Sequence, residues 1–192
     1  MRRVVALGVV ALVVGLIAGC GGGSSTDAET SVPFDRAFID AMVPHHESAI
    51  AMAKEAVAAG LEGPALLLRT EAMVADQECE IEQMKQWRAA WYGSSEIDPD
   101  GAAALGMTDD EMGMGHAAGS FADADDVDAA FAAAMIMHHQ GAIAMAERAS
   151  GRAEHPELEK LAASIVSSQA AEVERMRPYA VGAEGHEGME GM

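Results

Sequence analysis

MVPHHESAIAMA, Met42–Ala53, and MIMHHQGAIAMA, Met135–Ala146, are two copies of one pattern in a chain of 192 residues. Aligning Phe38–Ala53 with Phe131–Ala146 gives 10 identities in 16 positions: Phe, Ala, Met, His, His, Ala, Ile, Ala, Met, Ala. Internal repetition fixes the architecture before any residue is given a role. At about 100° per residue, Phe38, Met42, His45, His46, Ala49, Met52 and Ala53 fall within one arc. Asp40, Glu47, Lys54 and Glu55 fall largely outside it. The stretch is therefore an amphipathic helix from near Pro33–Asp35, with Asp35 as its cap, to about Ala59, and its buried face holds both histidines. Pro44 removes a helical hydrogen bond, so a kink or local opening is expected just before the first His pair. The second copy has Met137 at that place.

Working outward, Gly60–Gly63 is a short turn and Pro64 suits a first helical position. A second helix is expected from about Pro64 to Trp91, with Leu67, Thr70, Met73, Gln77, Ile81 and Met84 near one face and Glu80 at its margin. The later half repeats this plan, with helices from about Val127 to Ser150 and Pro156 to Arg177. The second helices match too: QECEIEQM at Gln77–Met84 and QAAEVERM at Gln169–Met176 share Gln, Glu, Glu and Met. Turns this short force antiparallel neighbours. Two similar hairpins, no strand signal and 4% aromatic residues indicate an all-α four-helix bundle with pseudo-twofold symmetry, built from two repeated αα-hairpins. Its repeats span 33–91 and 127–180 within a bundle of 33–180.

Between them, Tyr92–Asp126 is rich in Gly, Ala, Asp and Ser and has no sustained periodicity. It reads as a long crossover, in which TDDEM from Thr108 could cap one or two helical turns. Residues 1–20 have a basic start, an apolar run too short to span a bilayer and a Leu-Ile-Ala-Gly-Cys ending, the pattern of an export signal. The ending resembles a bacterial lipoprotein signal, with Cys20 the lipidated first residue of the mature chain. Residues 21–32 read as a flexible tether and 181–192 as a disordered tail. Localisation would then be extracytoplasmic (periplasmic or extracellular), on a membrane through a lipid anchor.

The formal charge is −19; without Arg2 and Arg3 it is −21, which argues against nucleic acid as a partner. Cys79 is the one other thiol, so no intramolecular disulfide is expected once Cys20 carries lipid. Cys79 is unrepeated (Ala171 in the second copy) and reads as a buried small residue. No G-x-S-x-G is present, and nothing supports a nucleophile mechanism.

Folding each hairpin about its turn sets Met42, His45 and His46 against Gln77 and Glu80, and Met135, His138 and His139 against Gln169 and Glu172. Each hairpin thus offers two imidazoles, a thioether, a carboxylate and an amide. Met42, His45, His46, Glu80, Met135, His138, His139 and Glu172 are the candidate metal ligands; Gln77, Gln169, Met52, Met84, Met145 and Met176 are weaker or supporting candidates. A carboxylate-bridged di-iron bundle would carry Glu-x-x-His where this chain has Met42-x-x-His45 and Met135-x-x-His138. Thioethers move the preference from iron to copper.

The tandem Phe-x-x-x-Met-x-x-His-His, Ala-Ile-x-Met-Ala and Gln-x-x-Glu-x-x-x-Met pattern resembles the domain-of-unknown-function 305 family over about Phe34–Trp87, Val127–Tyr179 and the GMTDDEM segment. The resemblance implies an exported, ferritin-like helical protein of a family in which some members bind copper, with Met42, His45, His46, Met135, His138 and His139 as the metal positions. Met137 and Gln140 depart from that pattern. The expectation is a copper-binding lipoprotein for buffering, delivery or tolerance, possible as a homo-oligomer. Alternatives are a metal-dependent redox enzyme of ferritin-like type and a metal-free helical assembly or interaction module.

Overall fold

A computed structural model describes residues 32–116 and 121–181; the expected signal, tether and Cys20 lie outside them, as does nearly all of the expected tail. Four long helices carry the fold: α1 Phe34–Ala59, α2 Pro64–Tyr92, α4 Val127–Glu147 and α5 Pro156–Ala180. A five-residue α3, Gly101–Leu105, and two 3-10 turns, Met114–His116 and Phe121–Asp123, lie in the crossover. No strand occurs among the described residues, and the architecture is an all-α bundle of two repeated hairpins.

Local chemistry sets the ends. Gly60 takes the left-handed conformation at φ 107°, and the backbone N–H groups of Gly60 and Leu61 donate to the carbonyls of Val57 and Ala56. Pro64 and Pro156 open α2 and α5, where their missing N–H costs nothing. Asp126 caps α4 by accepting from Ala129 N–H at 2.9 Å.

Asp35 does not cap its own helix. It lies in the first turn of α1, fully buried, and its carboxylate accepts from the backbone N–H groups of Glu154 and His155, both at 2.9 Å, at the start of α5. Its counterpart Asp128 accepts from Glu62 N–H at 3.1 Å and Gly63 N–H at 2.9 Å, at the start of α2. Each hairpin therefore supplies the acceptor for the other hairpin's second helix.

The apolar side chains form two blocks. Phe38, Met42, Met84, Met112, Met145 and Leu158 belong to one, and Met52, Leu66, Met73, Phe131, Met135 and Met176 to the other. Along α1 the first block precedes His45 and His46 and the second follows; along α4 the order reverses. The first helices of the two hairpins hence run antiparallel, and the four histidines form a polar layer between two apolar halves. Each fully buried Leu, Met or Phe in those halves contributes roughly 1.5–3 kcal/mol.

Two expectations about α1 are corrected. The helix is continuous through Pro44, whose ring is exposed, so no opening precedes the His pair. Asp40, expected on the solvent side, is 2% exposed because the crossover covers that face of α1. Its carboxylate accepts from Arg88 Nε and from Arg88 Nη2 at 3.1 Å, and from Asp98 N–H at 3.1 Å. Arg88 Nη1 also donates to the Ser94 carbonyl at 2.7 Å. This network ties the end of α2 and the start of the crossover to α1. Asp40→Ala would leave the Arg88 guanidinium buried without its anion, and a loss of about 3–5 kcal/mol is expected in urea unfolding. A change under 1 kcal/mol would mean that water reaches the guanidinium.

Candidate functional site

All four histidines are buried, at 0–1% exposure. Each holds its Nε2 on a defined partner. His46 Nε2–H donates to Glu80 Oε2 at 2.7 Å, and His139 Nε2–H donates to Glu172 Oε2 at 2.8 Å. His45 Nε2–H donates to the Met112 carbonyl at 2.8 Å. The Ser48 hydroxyl donates to the His45 carbonyl at 3.0 Å, so its oxygen accepts from His138 Nε2–H at 2.6 Å. Met114 Sδ lies 3.5 Å from the same hydroxyl.

With every Nε2 carrying the proton, every Nδ1 carries a lone pair. The Nδ1 atoms of His45, His46, His138 and His139 are all buried and have no hydrogen-bond partner. The His45 and His138 rings pack against each other, 3.8 Å between centroids and tilted by 37°, and each is 6.3–6.5 Å from its sequence neighbour's ring. Four buried acceptors without a donor cost about 1–3 kcal/mol each, and a cation supplies what they lack. Burial pushes the His45 imidazole down to about 3, with His46 and His139 adding to the fall against the Met112 hydrogen bond. Burial pushes His138 down to about 2, aided by His45, His139 and His46. Both rings are neutral at pH 7, the state a metal ligand needs. Among the described residues, no three His, Cys, Asp or Glu side chains are grouped so that they could hold a metal ion as they stand.

The other sequence candidates are placed as follows. Met42 and Met135 are fully buried but lie on opposite sides of the histidine layer, one in each apolar block. Met84 and Met145 share the block of Met42, and Met52 and Met176 that of Met135. Gln77 and Gln169 are 3% exposed, with Oε1 unpartnered. Cys79 is exposed, which corrects its reading as a buried residue.

Sequence reasoning anticipated a cap at Thr108 but missed where the crossover docks. Thr108 and Glu111 form a reciprocal capping box, with Thr108 N–H donating to Glu111 Oε2 at 2.8 Å and Glu111 N–H to Thr108 Oγ1 at 3.3 Å. The single turn that follows presents the Met112 carbonyl to His45 and Met114 to Ser48. It docks on α4 so closely that a Cβ on Gly141 would stand 1.8 Å from the Met112 oxygen. A Cβ on Gly113, at φ +69°, would stand 2.4 Å from the Met137 carbonyl oxygen. The available signal was a break in the repeat, since Ser48 stands where the second copy has Gly141.

The DUF305 family model, a domain of unknown function, matches residues 35–180. No curated protein matches the chain. Among solved structures, the chain is similar to CopM in a Cu(I)-bound form (33% identity, TM-score 0.61) and in an apo form (32%, 0.63), each alignment covering 79% of this chain and 98% of that one. A DUF305 fragment from Deinococcus radiodurans shares the fold at 24% identity and TM-score 0.60, over 79% of this chain and 97% of the fragment. A doubled His pair in a helical bundle, a family model spanning most of the chain and relatives at about one-third identity agree: the chain belongs to the DUF305 family.

Proposed function

We infer that this protein binds copper in the histidine layer, as an exported lipoprotein that buffers, delivers or confers tolerance to the metal. The observation that carries the reading is the set of four buried, unpartnered Nδ1 atoms, each fixed in one tautomer by a partner at Nε2. Imidazole nitrogens suit both copper oxidation states, and thioethers favour Cu(I). Met114 Sδ lies 3.5 Å from the Ser48 hydroxyl that meets His138, while Met42 and Met135 flank the layer. Similarity to CopM, seen with Cu(I), with Cu(II) and with silver, supports the same metal class. Binding one ion through several imidazoles requires the closely packed His45 and His138 rings to separate. The signal-like residues 1–20 and Cys20 support export and lipid anchoring.

Titration of the metal-free protein with Cu(I) and Cu(II) tests this. His45→Ala/His138→Ala is expected to weaken binding by about 100-fold or more, because it removes two nitrogens and leaves two. Stoichiometry and affinity untouched by both substitutions would place the metal elsewhere. Oxygen consumption by the loaded protein separates a binder from a redox enzyme.

A further inference from the structure

The histidine layer is not enclosed equally on all sides. Between α1 and α4 the rings pack against each other, and over α4 the crossover docks with backbone against backbone at Gly113 and Gly141. Between α2 and α5 the helices stand apart, and a cleft runs along the seam. Its walls include Asp76, Cys79 and Glu80 from α2 and Ser164, Ser168 and Glu172 from α5. Gln77 and Gln169 also line it.

Two observations make this seam more than an acidic groove. Glu80 and Glu172 link it to the layer: each side chain is only about one-fifth exposed (19% and 22%) and uses Oε2 to hold the buried imidazole of His46 or His139. Gln77 and Gln169 line the cleft but are 97% buried, and each has a buried Oε1 with no hydrogen-bond partner. Neutral amide carbonyls beside carboxylates suit a cation that sheds water in stages: they replace hydration oxygens without holding the ion as hard as a full carboxylate shell.

We propose that the α2–α5 cleft is the passage by which the ion reaches and leaves the histidine layer, with the Gln77 and Gln169 carbonyls and the Glu80 and Glu172 carboxylates as its way-station. The proposal rests on the metal-binding reading above. The rival approach is the pocket beside Pro44, which touches His45 and is lined by Asp109, Met112 and Met114.

The test separates rate from affinity, using Cu(II) and the full mature chain in a Cys79→Ser background to keep the exposed thiol from competing. Ser164→Phe/Ser168→Phe fills the cleft from exposed helix positions, and Asp109→Phe fills the rival mouth. Gln77→Leu/Gln169→Leu removes the carbonyls at similar volume. Stopped-flow loading and chelator-driven release are expected to slow together by about tenfold or more in the Ser164/Ser168 variant, with Kd unchanged to within about threefold, and to keep parent rates in Asp109→Phe. The glutamine variant is expected to slow both steps. Parent rates in the filled cleft, or slow exchange in Asp109→Phe alone, would overturn the passage while leaving the metal site standing. A glutamine variant that loses affinity without slower exchange would make those residues ligands and also overturn it. Failure of the parent protein to bind copper would instead overturn the metal reading on which the passage depends.

Discussion

Lowering the pH from 7 to 4 is expected to unfold the metal-free protein, with the transition centred between about pH 5 and 4. The unfolded chain carries histidines of ordinary pKa, 6.5, whereas the folded chain holds His45 near 3 and His138 near 2. Below pH 6.5 the unfolded state binds protons that the native state refuses. Stability therefore falls as pH falls and continues to fall until the folded values are reached. Each group contributes about 1.4 kcal/mol per pH unit, so the pair costs about 7 kcal/mol by pH 4. That is comparable with the whole stability of an ordinary domain, roughly 5–15 kcal/mol. Urea unfolding at a series of pH values should give a slope approaching about 2.8 kcal/mol per unit below pH 5.5. A flat profile between pH 6.5 and 4.5 would mean that the two rings are hydrated or already charged in the native protein.

Gly141→Ala should be the most damaging single methyl that α4 can receive. In a helix interior this exchange ordinarily stabilises by about 0.8–1 kcal/mol, so its sign here is diagnostic. The added carbon would stand 1.8 Å from the Met112 carbonyl oxygen and 2.1 Å from its carbon. Both atoms are backbone, so no rotamer relieves the clash, and the Thr108–Gly113 turn must lift away from α4. Lifting it also removes the acceptor of His45 Nε2–H. A loss of about 3–4 kcal/mol in urea unfolding is expected, the range of severe overpacking combined with a buried donor left unpaired. Amide exchange over residues 107–114 should rise in step. A variant as stable as the parent, with that exchange unchanged, would show that the crossover is not seated on Gly141.

The helices and hairpins were legible because the apolar spacing is written twice and Gly or Pro marks most of the helix ends. The His46–Glu80 and His139–Glu172 pairs follow from antiparallel register within one hairpin, which sequence spacing can supply. What spacing cannot supply is how one hairpin meets the other. Met42 and Met135 occupy equivalent places in the repeat, yet antiparallel packing of α1 against α4 sends them to opposite sides of the histidine layer. Asp40 looked solvated for the same reason: the crossover that covers it has no periodicity of its own, and the Arg88 that neutralises it comes from the end of α2. Ser48 and Gly141 were visible as a mismatch between the copies. Its meaning came only from knowing that the crossover docks beside one of them and that His138 meets the other.

The exchanged carboxylates, Asp35 on the start of α5 and Asp128 on the start of α2, also determine the smallest unit that can be whole. A half-chain cut in the crossover would keep its own turn but forfeit the acceptors at the head of its second helix, since these belong to the other half. It would likewise carry two histidines with nothing of their kind to face. The doubled text has thus not yielded two modules that can be separated, reordered or lost one at a time. It has yielded one indivisible object, in which each copy finishes the other.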